Sequence, residues 1–246
     1  MIINKFFFFI SRFLNNKKFY LQSQMDIHKN SIDFNDEFIT ETGGFFPLNS
    51  KIERQILNLE PWDNIRRDLI ILILKNLIEK NISGEIVEAG VFKGKSAKLI
   101  HKYAPNVKLH LFDTFSGFDQ KDLDYEKKKF KSSILDDFKN TNLDLVKNYI
   151  DCNENVYFYP GYLPKSIPND FEKKIFSFVH IDLDLYAPIY ETLNFFYNKM
   201  STGGIILIHD YNSWIGARKA VDDFCLEKKI YPIQIPDKSG SAIIQC

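Results

Sequence analysis

EIVEAGVFKGKSAKLIHKYAPNVKLHLFDT, Glu85–Thr114, decides the fold class. EIVEA is a short, mostly apolar run that stops at Gly90. FKGKSAKLIHKYA has helical character, and KLHLFDT is a second apolar run ending in acid. A strand, a glycine turn, a helix and another strand make a βαβ unit, whose two strands pair in parallel.

The same grammar continues downstream. VYFYPG, FSFVHIDLD and GIILIHDY (Gly204–Tyr211) read as strands, with a helix over YETLNFFYNKM between the last two. GARKAVDDFCLEKK is a further helix. YPIQIP and SAIIQC close the chain as two strands joined by the turn DKSG. The reading is an α/β fold: a Rossmann-like, seven-stranded, mostly parallel sheet with an antiparallel C-terminal hairpin at the edge and helices on both faces. The polar section Asp119–Asn155 is expected to hold one solvated helix over DYEKKKFKSSILDDFKN, its lysines forming an exposed face.

Upstream, residues 1–80 read as a helical N-terminal cap and lid, and 81–246 as the main domain. RRDLIILILKNLIEKNI (Arg66–Ile82) is a helix apolar on more than one side, so it is expected to be buried on a neighbour. NDEFITETGGFFPLNS (Asn35–Ser50) is loop-like, with Gly43-Gly44 as a pivot for Phe45 and Phe46. Near the start, Phe6–Ile10 is interrupted by Arg12, too early for a signal peptide or a spanning helix, which needs about 20 apolar residues. This segment reads first as a helix packing on the body or on a second subunit, so a homo-oligomer is expected. Its second reading is peripheral membrane contact, because Lys17 and Lys18 flank aromatics.

Lys plus Arg and Asp plus Glu both total 32, so no global attraction to nucleic acid is expected. Three cysteines, Cys152, Cys225 and Cys246, form no CxxC pair and fit a reducing cytoplasm.

Ligands of parallel sheets sit beyond the carboxyl ends of the strands. Here those ends carry Glu88 and Gly90, Asp113, Asp182 and Asp184, and His209 with Asp210. The turn spacing is G-x-x-x-G, not the G-x-G-x-x-G of dinucleotide sites and not a P-loop, which argues against an NAD-dependent oxidoreductase. Gly90 permits a tight turn and Gly94 a close backbone approach. Asp113 stands where an acid can accept ribose hydroxyls. Glu88 would face the turn, receiving backbone N–H groups or a cationic ligand group. A ligand with a ribose, an amino group and no phosphate suits this set, and S-adenosylmethionine has those features.

EIVEAGVFKGKSA, LFDTFSGF, YPGYLPKSIP, FVHIDLDLYAPIYETLNFFYNKMSTGGIILIHDY and GARKAVDDF, in this order, resemble the macrocin O-methyltransferase family. The resemblance runs from Gly84 onward, about two thirds of the chain. It implies a class I, S-adenosylmethionine-dependent methyltransferase acting on a hydroxyl of a sugar in a natural product, nucleotide sugar or surface glycan. The implied partner is thus a small-molecule or glycan acceptor. It also implies that Glu88, Gly90, Val91, Phe92, Gly94 and Ser96 line the methionine part of the cofactor, with Asp113, Thr114 and Phe115 by the ribose and adenine. A divalent metal, usually Mg²⁺, is implied at Asp182, His209 and Asp210, with Asp182 and His209 in the chemistry. His209 departs from the family, which has Asp there. It reads as a ligand for Mn²⁺ or another softer ion, as a general base, or as a hydrogen-bonded strand-end histidine. Asp184 shares a face with Asp182 if the strand continues, and caps the next helix if it does not; the cap is the favoured reading. His180, inside the strand, reads as a satisfied core histidine. The alternatives are a catechol-type small-molecule O-methyltransferase and a non-catalytic Rossmann-like binding protein.

Overall fold

The computed structural model describes residues 63–132, 138–152 and 154–246. The aromatic N-terminal segment and the Gly43-Gly44 loop lie outside the described residues. Of the expected 1–80 extension, the described part is the helix α1 (Asn64–Glu79) with its flanks. Ile70, Ile71, Ile73, Leu74 and Leu77 of α1 are buried, as a helix apolar on several sides requires. α1 packs on α2 (Lys95–Tyr103) and on the sheet.

The sheet has seven strands: β1 (Glu85–Ala89), β2 (Leu109–Asp113), β3 (Val156–Pro160), β4 (Phe176–Ile181), β5 (Met200–Ile208), β6 (Ile233–Gln234) and β7 (Ala242–Gln245). Their order is β3-β2-β1-β4-β5-β7-β6. β1 to β5 pair in parallel, and β7 runs antiparallel to both β5 and β6. The expected C-terminal hairpin is present, but its second strand is the inner one. β7 is apolar at Ala242 and Ile244, both buried, whereas Ile233 and Gln234 of β6 are exposed. The more apolar strand therefore takes the place beside β5.

Alternation along the strands builds two faces. Val87, Ala89, Phe112, Val179, Ile181, Ile206 and Ile208 form one core with α5 (Tyr186–Phe196) and α6 (Ile215–Lys228). The opposite face carries Ile86, Leu111, Phe178 and Leu207, and α1 and α2 cover it.

The polar section folds differently from the reading of one solvated helix. α3 runs over Gln120–Phe130 and α4 over Leu143–Ile150. The lysines of α3 are exposed as expected, yet Asp122 and Glu126 are buried. α4 was not anticipated. Its signals are Asn142, whose side chain caps it, and Val146 and Ile150, which are four apart and buried.

Three backbone links join the strand tips. Gly90 N–H donates to Phe112 O at 2.8 Å, Asp182 N–H to Ala89 O at 2.8 Å, and His209 N–H to Ile181 O at 2.8 Å. Gly90 has φ 87°, and a β-carbon there would overlap the Asp182 carbonyl oxygen. Gly90→Ala is therefore expected to lower stability by at least about 2 kcal/mol. Denaturant unfolding of the variant checks this; a midpoint unchanged from wild type would refute it.

Away from the strand tips, Glu85 accepts from Lys174 Nζ at 2.8 Å and lies 2.7 Å from His110 Nε2. The other nitrogen of His110 is 3.0 Å from Tyr159 Oη. Burial lowers the His110 pKa below its ordinary 6.5, with Glu85 opposing. Burial raises that of Glu85, but Lys174 and His110 outweigh it, and the net shift is down from 4.5. In both cases the unfolded chain binds more protons than the native one, so stability is lost on acidification. The His110 contribution starts to go as pH falls through 6.5, and that of Glu85 as it falls through 4.5. His110→Leu isolates the histidine's share: the Tm of wild type relative to the variant is expected to fall from pH 7 to pH 5 (roughly the window set by the histidine), and a constant difference across that window would refute it.

Candidate active site

One cavity runs along the strand tips from β3 to β5, lined by Gly161, Asp113, Gly90, Asp182 and His209 among others. The residues named from the sequence divide between this cavity and its supports. Gly90, Val91, Phe92, Asp113, Thr114, Asp182, His209 and Asp210 line it. Glu88, Gly94, Ser96 and Phe115 do not.

Glu88 is fully buried behind the turn, its Oε1 2.8 Å from His180 Nδ1. The two sit side by side on adjacent strands, since Glu88 is in register with His180. Glu88 therefore does not reach the turn in this arrangement. His180 is a core histidine as expected, but only half satisfied: Nδ1 meets Glu88, while His180 Nε2 and Glu88 Oε2 are buried with no hydrogen-bond partner among the described residues. Gly94 is the left-handed N-cap of α2, with φ 78°, and a β-carbon there would press on Val146 and Ile150 of α4. Its left-handed backbone and its packing against α4 both ask for glycine. Ser96 is buried within α2, and Phe115 is 6% exposed beside Phe158.

Asp113 has a specific mechanical role. Its Oδ2 accepts from Val91 N–H at 2.7 Å and Phe92 N–H at 2.8 Å, and its Oδ1 from Phe115 N–H at 2.7 Å. One carboxylate thus holds the turn after β1 and the loop after β2. A carboxylate has about four lone-pair sites, so roughly one remains for a ligand hydroxyl. Thr114 Oγ1 donates to Gly117 O at 2.6 Å and closes the second loop.

The charged end of the cavity lies at the tips of β4 and β5. His209 Nδ1 is 2.9 Å from Asp182 Oδ1 and 3.0 Å from Asp210 Oδ2. One donor atom from each of these three residues lies within 4.8 Å of the other two. Burial opposes the imidazolium charge, but the Asp182 and Asp210 carboxylates overcome it and raise the His209 pKa to about 12. Burial likewise opposes ionisation of Asp182, and His209 and Arg66 outweigh it, so its pKa falls. Asp210 is lowered in the same way, its hydrogen bond to His209 outweighing burial.

Asp184 does not cap α5. The N-cap position is Leu185, and the Tyr186 N–H instead donates to Glu126 Oε1 of α3 at 2.8 Å. Asp184 has φ 60° and turns into the cavity wall, 7% exposed. Burial and the Asp182 charge push its pKa well up, and it hydrogen-bonds Asp210. That shift favours its neutral form, the one able to donate to Asp210.

Sequence reasoning missed Arg66, Asp63 and Glu126. Arg66 Nη1 donates to Asp182 Oδ2 at 3.0 Å, and Asp63 caps α1 by accepting from Arg66 N–H at 3.2 Å. A signal existed: Arg66 and Arg67 stand at the positive end of an apolar helix, where a cation is unfavourable unless an acid meets it. Asp122 and Tyr162 also line the cavity, at the end farthest from His209 in strand order.

A family model described as macrocin-O-methyltransferase (TylF) matches residues 65–242. The demethyldecarbamoylnovobiocin O-methyltransferase of Streptomyces niveus is 25% identical over 199 residues, covering 76% of this chain and 72% of that protein. The solved structure of the O-methyltransferase NovP is similar at a TM-score of 0.60 and 20% identity, over 85% of this chain and 87% of the other. The calicheamicin methyltransferase CalS11 is similar at 0.59 and 17%, over 80% and 87%. At these identities the two structures speak for the fold, which is the Rossmann-like sheet described above. The family match spans most of the chain and every strand tip that carries the site, so this chain belongs to the macrocin-O-methyltransferase family and is an O-methyltransferase.

Proposed function

We propose that the chain transfers a methyl group from S-adenosylmethionine to a sugar hydroxyl of a natural product, nucleotide sugar or surface glycan, with a divalent ion at Asp182, His209 and Asp210. The observation that carries this reading is the meeting of two chemistries in one cavity. The Asp113-pinned turn lies at the tips of β1 and β2, and the Asp/His/Asp set lies at the tips of β4 and β5. The relative named a demethyldecarbamoylnovobiocin O-methyltransferase supports a small-molecule acceptor of the novobiocin kind.

The donor set fits a divalent ion. Two carboxylate oxygens and an imidazole nitrogen converge, with Nδ1 already facing both acids. An ion held there would lower the pKa of a coordinated acceptor hydroxyl. The chain's own residues supply the rest. Asp113 fixes the turn that orients the methyl donor. Arg66 occupies the second oxygen of Asp182, leaving Oδ1 directed at His209. Asp184, as a hydrogen-bond donor, steadies Asp210. Phe92, Phe118, Leu183 and Leu185 give the wall apolar surface that excludes water. Alignment of nucleophile, methyl carbon and sulfur by these fixed groups provides most of the rate for a donor that is already reactive.

Titration calorimetry with S-adenosylmethionine is expected to show binding to the wild-type protein, weakened at least about tenfold in Asp113→Ala, because two loops lose their shared acceptor. Absence of binding to folded wild type would sink the cofactor assignment. Nucleotide sugars and glycosylated natural products can be screened as acceptors by release of S-adenosylhomocysteine. With an acceptor in hand, chelation or Asp210→Ala is expected to abolish turnover while cofactor binding stays within about twofold. Turnover that survives full chelation would refute the ion's role.

A further inference from the structure

We propose that Asp63 is a positioning residue for His209, and that the pair makes this site favour a first-row transition ion over Mg²⁺. The inference rests on the divalent-ion reading above and goes beyond it by naming the ion class and the residue that orients its nitrogen ligand.

The geometry assigns separate tasks to the two ring nitrogens. Nδ1 faces Asp182 Oδ1 and Asp210 Oδ2 at 2.9 and 3.0 Å, so Nδ1 is the atom an ion between those acids would meet. A ligating imidazole is neutral and carries its proton on the other nitrogen, and that N–H usually finds a carboxylate or carbonyl. Here the other nitrogen, Nε2, is buried and has no hydrogen-bond partner among the described residues. The nearest carboxylate oxygen in the ion-pair geometry is Asp63 Oδ2, 3.8 Å away. A shift of about 1 Å brings that distance into hydrogen-bond range.

Asp63 is also held in place. Its Oδ1 accepts the Arg66 N–H at 3.2 Å, and its Oδ2 lies 3.7 Å from Arg66 Nε. The same arginine donates to Asp182 Oδ2 at 3.0 Å. The first turn of α1 therefore reaches both outer sides of the set: Asp63 toward the back of His209, and Arg66 toward the back of Asp182. This is the arrangement in which outer groups fix the direction and basicity of inner ligands.

The ion preference follows from the donors. Mg²⁺ is a hard ion that takes oxygen and keeps its waters. Imidazole favours later first-row ions, whose affinity for nitrogen rises along the series from Mn²⁺. A site with one imidazole aimed inward, and a carboxylate behind it to raise its basicity, is built for the second class.

The test uses the full-length protein, free of any histidine tag, titrated with Mg²⁺, Mn²⁺ and Co²⁺ separately. Mn²⁺ and Co²⁺ are expected to bind at least about tenfold tighter than Mg²⁺. Electron spin-echo modulation of bound Mn²⁺ is expected to show nitrogen coupling in wild type and none in His209→Asp. Asp63→Asn keeps a capping oxygen for α1 and removes the charge behind His209. It is expected to lower Mn²⁺ affinity by about 10- to 100-fold while the ion-free protein stays folded, checked by circular dichroism. Asp63→Ser, which also caps, provides a second variant if the first is unstable. Mg²⁺ binding as tight as Mn²⁺, or bound Mn²⁺ without nitrogen coupling, overturns the ion preference. Wild-type affinity in both Asp63 variants overturns the positioning role. Binding of none of the three ions overturns the divalent-ion reading itself.

Discussion

The Gly90 backbone lies against the Asp182 carbonyl, and both halves of the site hang from that contact. Asp182 N–H bonds to Ala89 O, and Gly90 N–H to Phe112 O, both at 2.8 Å. The turn after β1 is thus tied to β2 on one side and β4 on the other. Asp113 completes the tie by taking the N–H groups of Val91 and Phe92. The distance from the turn after β1 to the Asp182 backbone is therefore fixed by interstrand hydrogen bonds rather than by flexible side chains. Methyl transfer needs such fixity more than it needs acid or base strength.

The opposite end of the cavity must solve a charge problem. Asp63, Asp182, Asp184 and Asp210 crowd two cations, Arg66 and His209. The upward shift of Asp184 eases the crowding, and the other carboxylates are paired across the tips of β4, β5 and the start of α1. Even without Asp184, the three carboxylates of Asp63, Asp182 and Asp210, all shifted down, face the two cations Arg66 and His209, leaving this group with a net negative charge. A buried cluster with that balance attracts a cation and resists substitution of any single member, because each removal strands a partner in a poorly solvated place.

Most of the sheet was legible because its strands are apolar runs punctuated by Gly and Asp at their carboxyl ends. The order of the last two strands was not, since a hairpin signal gives pairing without saying which strand faces the sheet. β7 took the inner place through the burial of Ala242 and Ile244. In the site, the lining residues at the ends of β1, β2, β4 and β5 were readable as acids and glycines, while Arg66, Asp122 and Tyr162 on the same wall were not. Glu88 was read as facing the turn because it stands just before Gly90, and nothing in the chain order marks His180 as its neighbour across the sheet. Arg66 and Asp63 come from a helix more than a hundred residues away in the chain, and only tertiary packing brings them to Asp182. The cap of α5 was placed on the nearest acid, Asp184, when the acid that serves it arrives from α3.

That acid, Glu126, joins three separate segments. It is 1% exposed, it accepts from Tyr186 N–H, and its carboxylate occupies the space a β-carbon would take at Gly216 of α6. Residues at 126, 186 and 216 therefore cannot drift independently: a side chain at 216 would evict the carboxylate, and loss of the carboxylate would leave α5 without its first acceptor. For anyone grafting loops to redirect acceptor choice, α3 is not an interchangeable cassette. A donor segment without an acid at this point would arrive with a helix start unmet and a hole beside Gly216. The lineage of such a segment is readable in advance from one glycine on another helix.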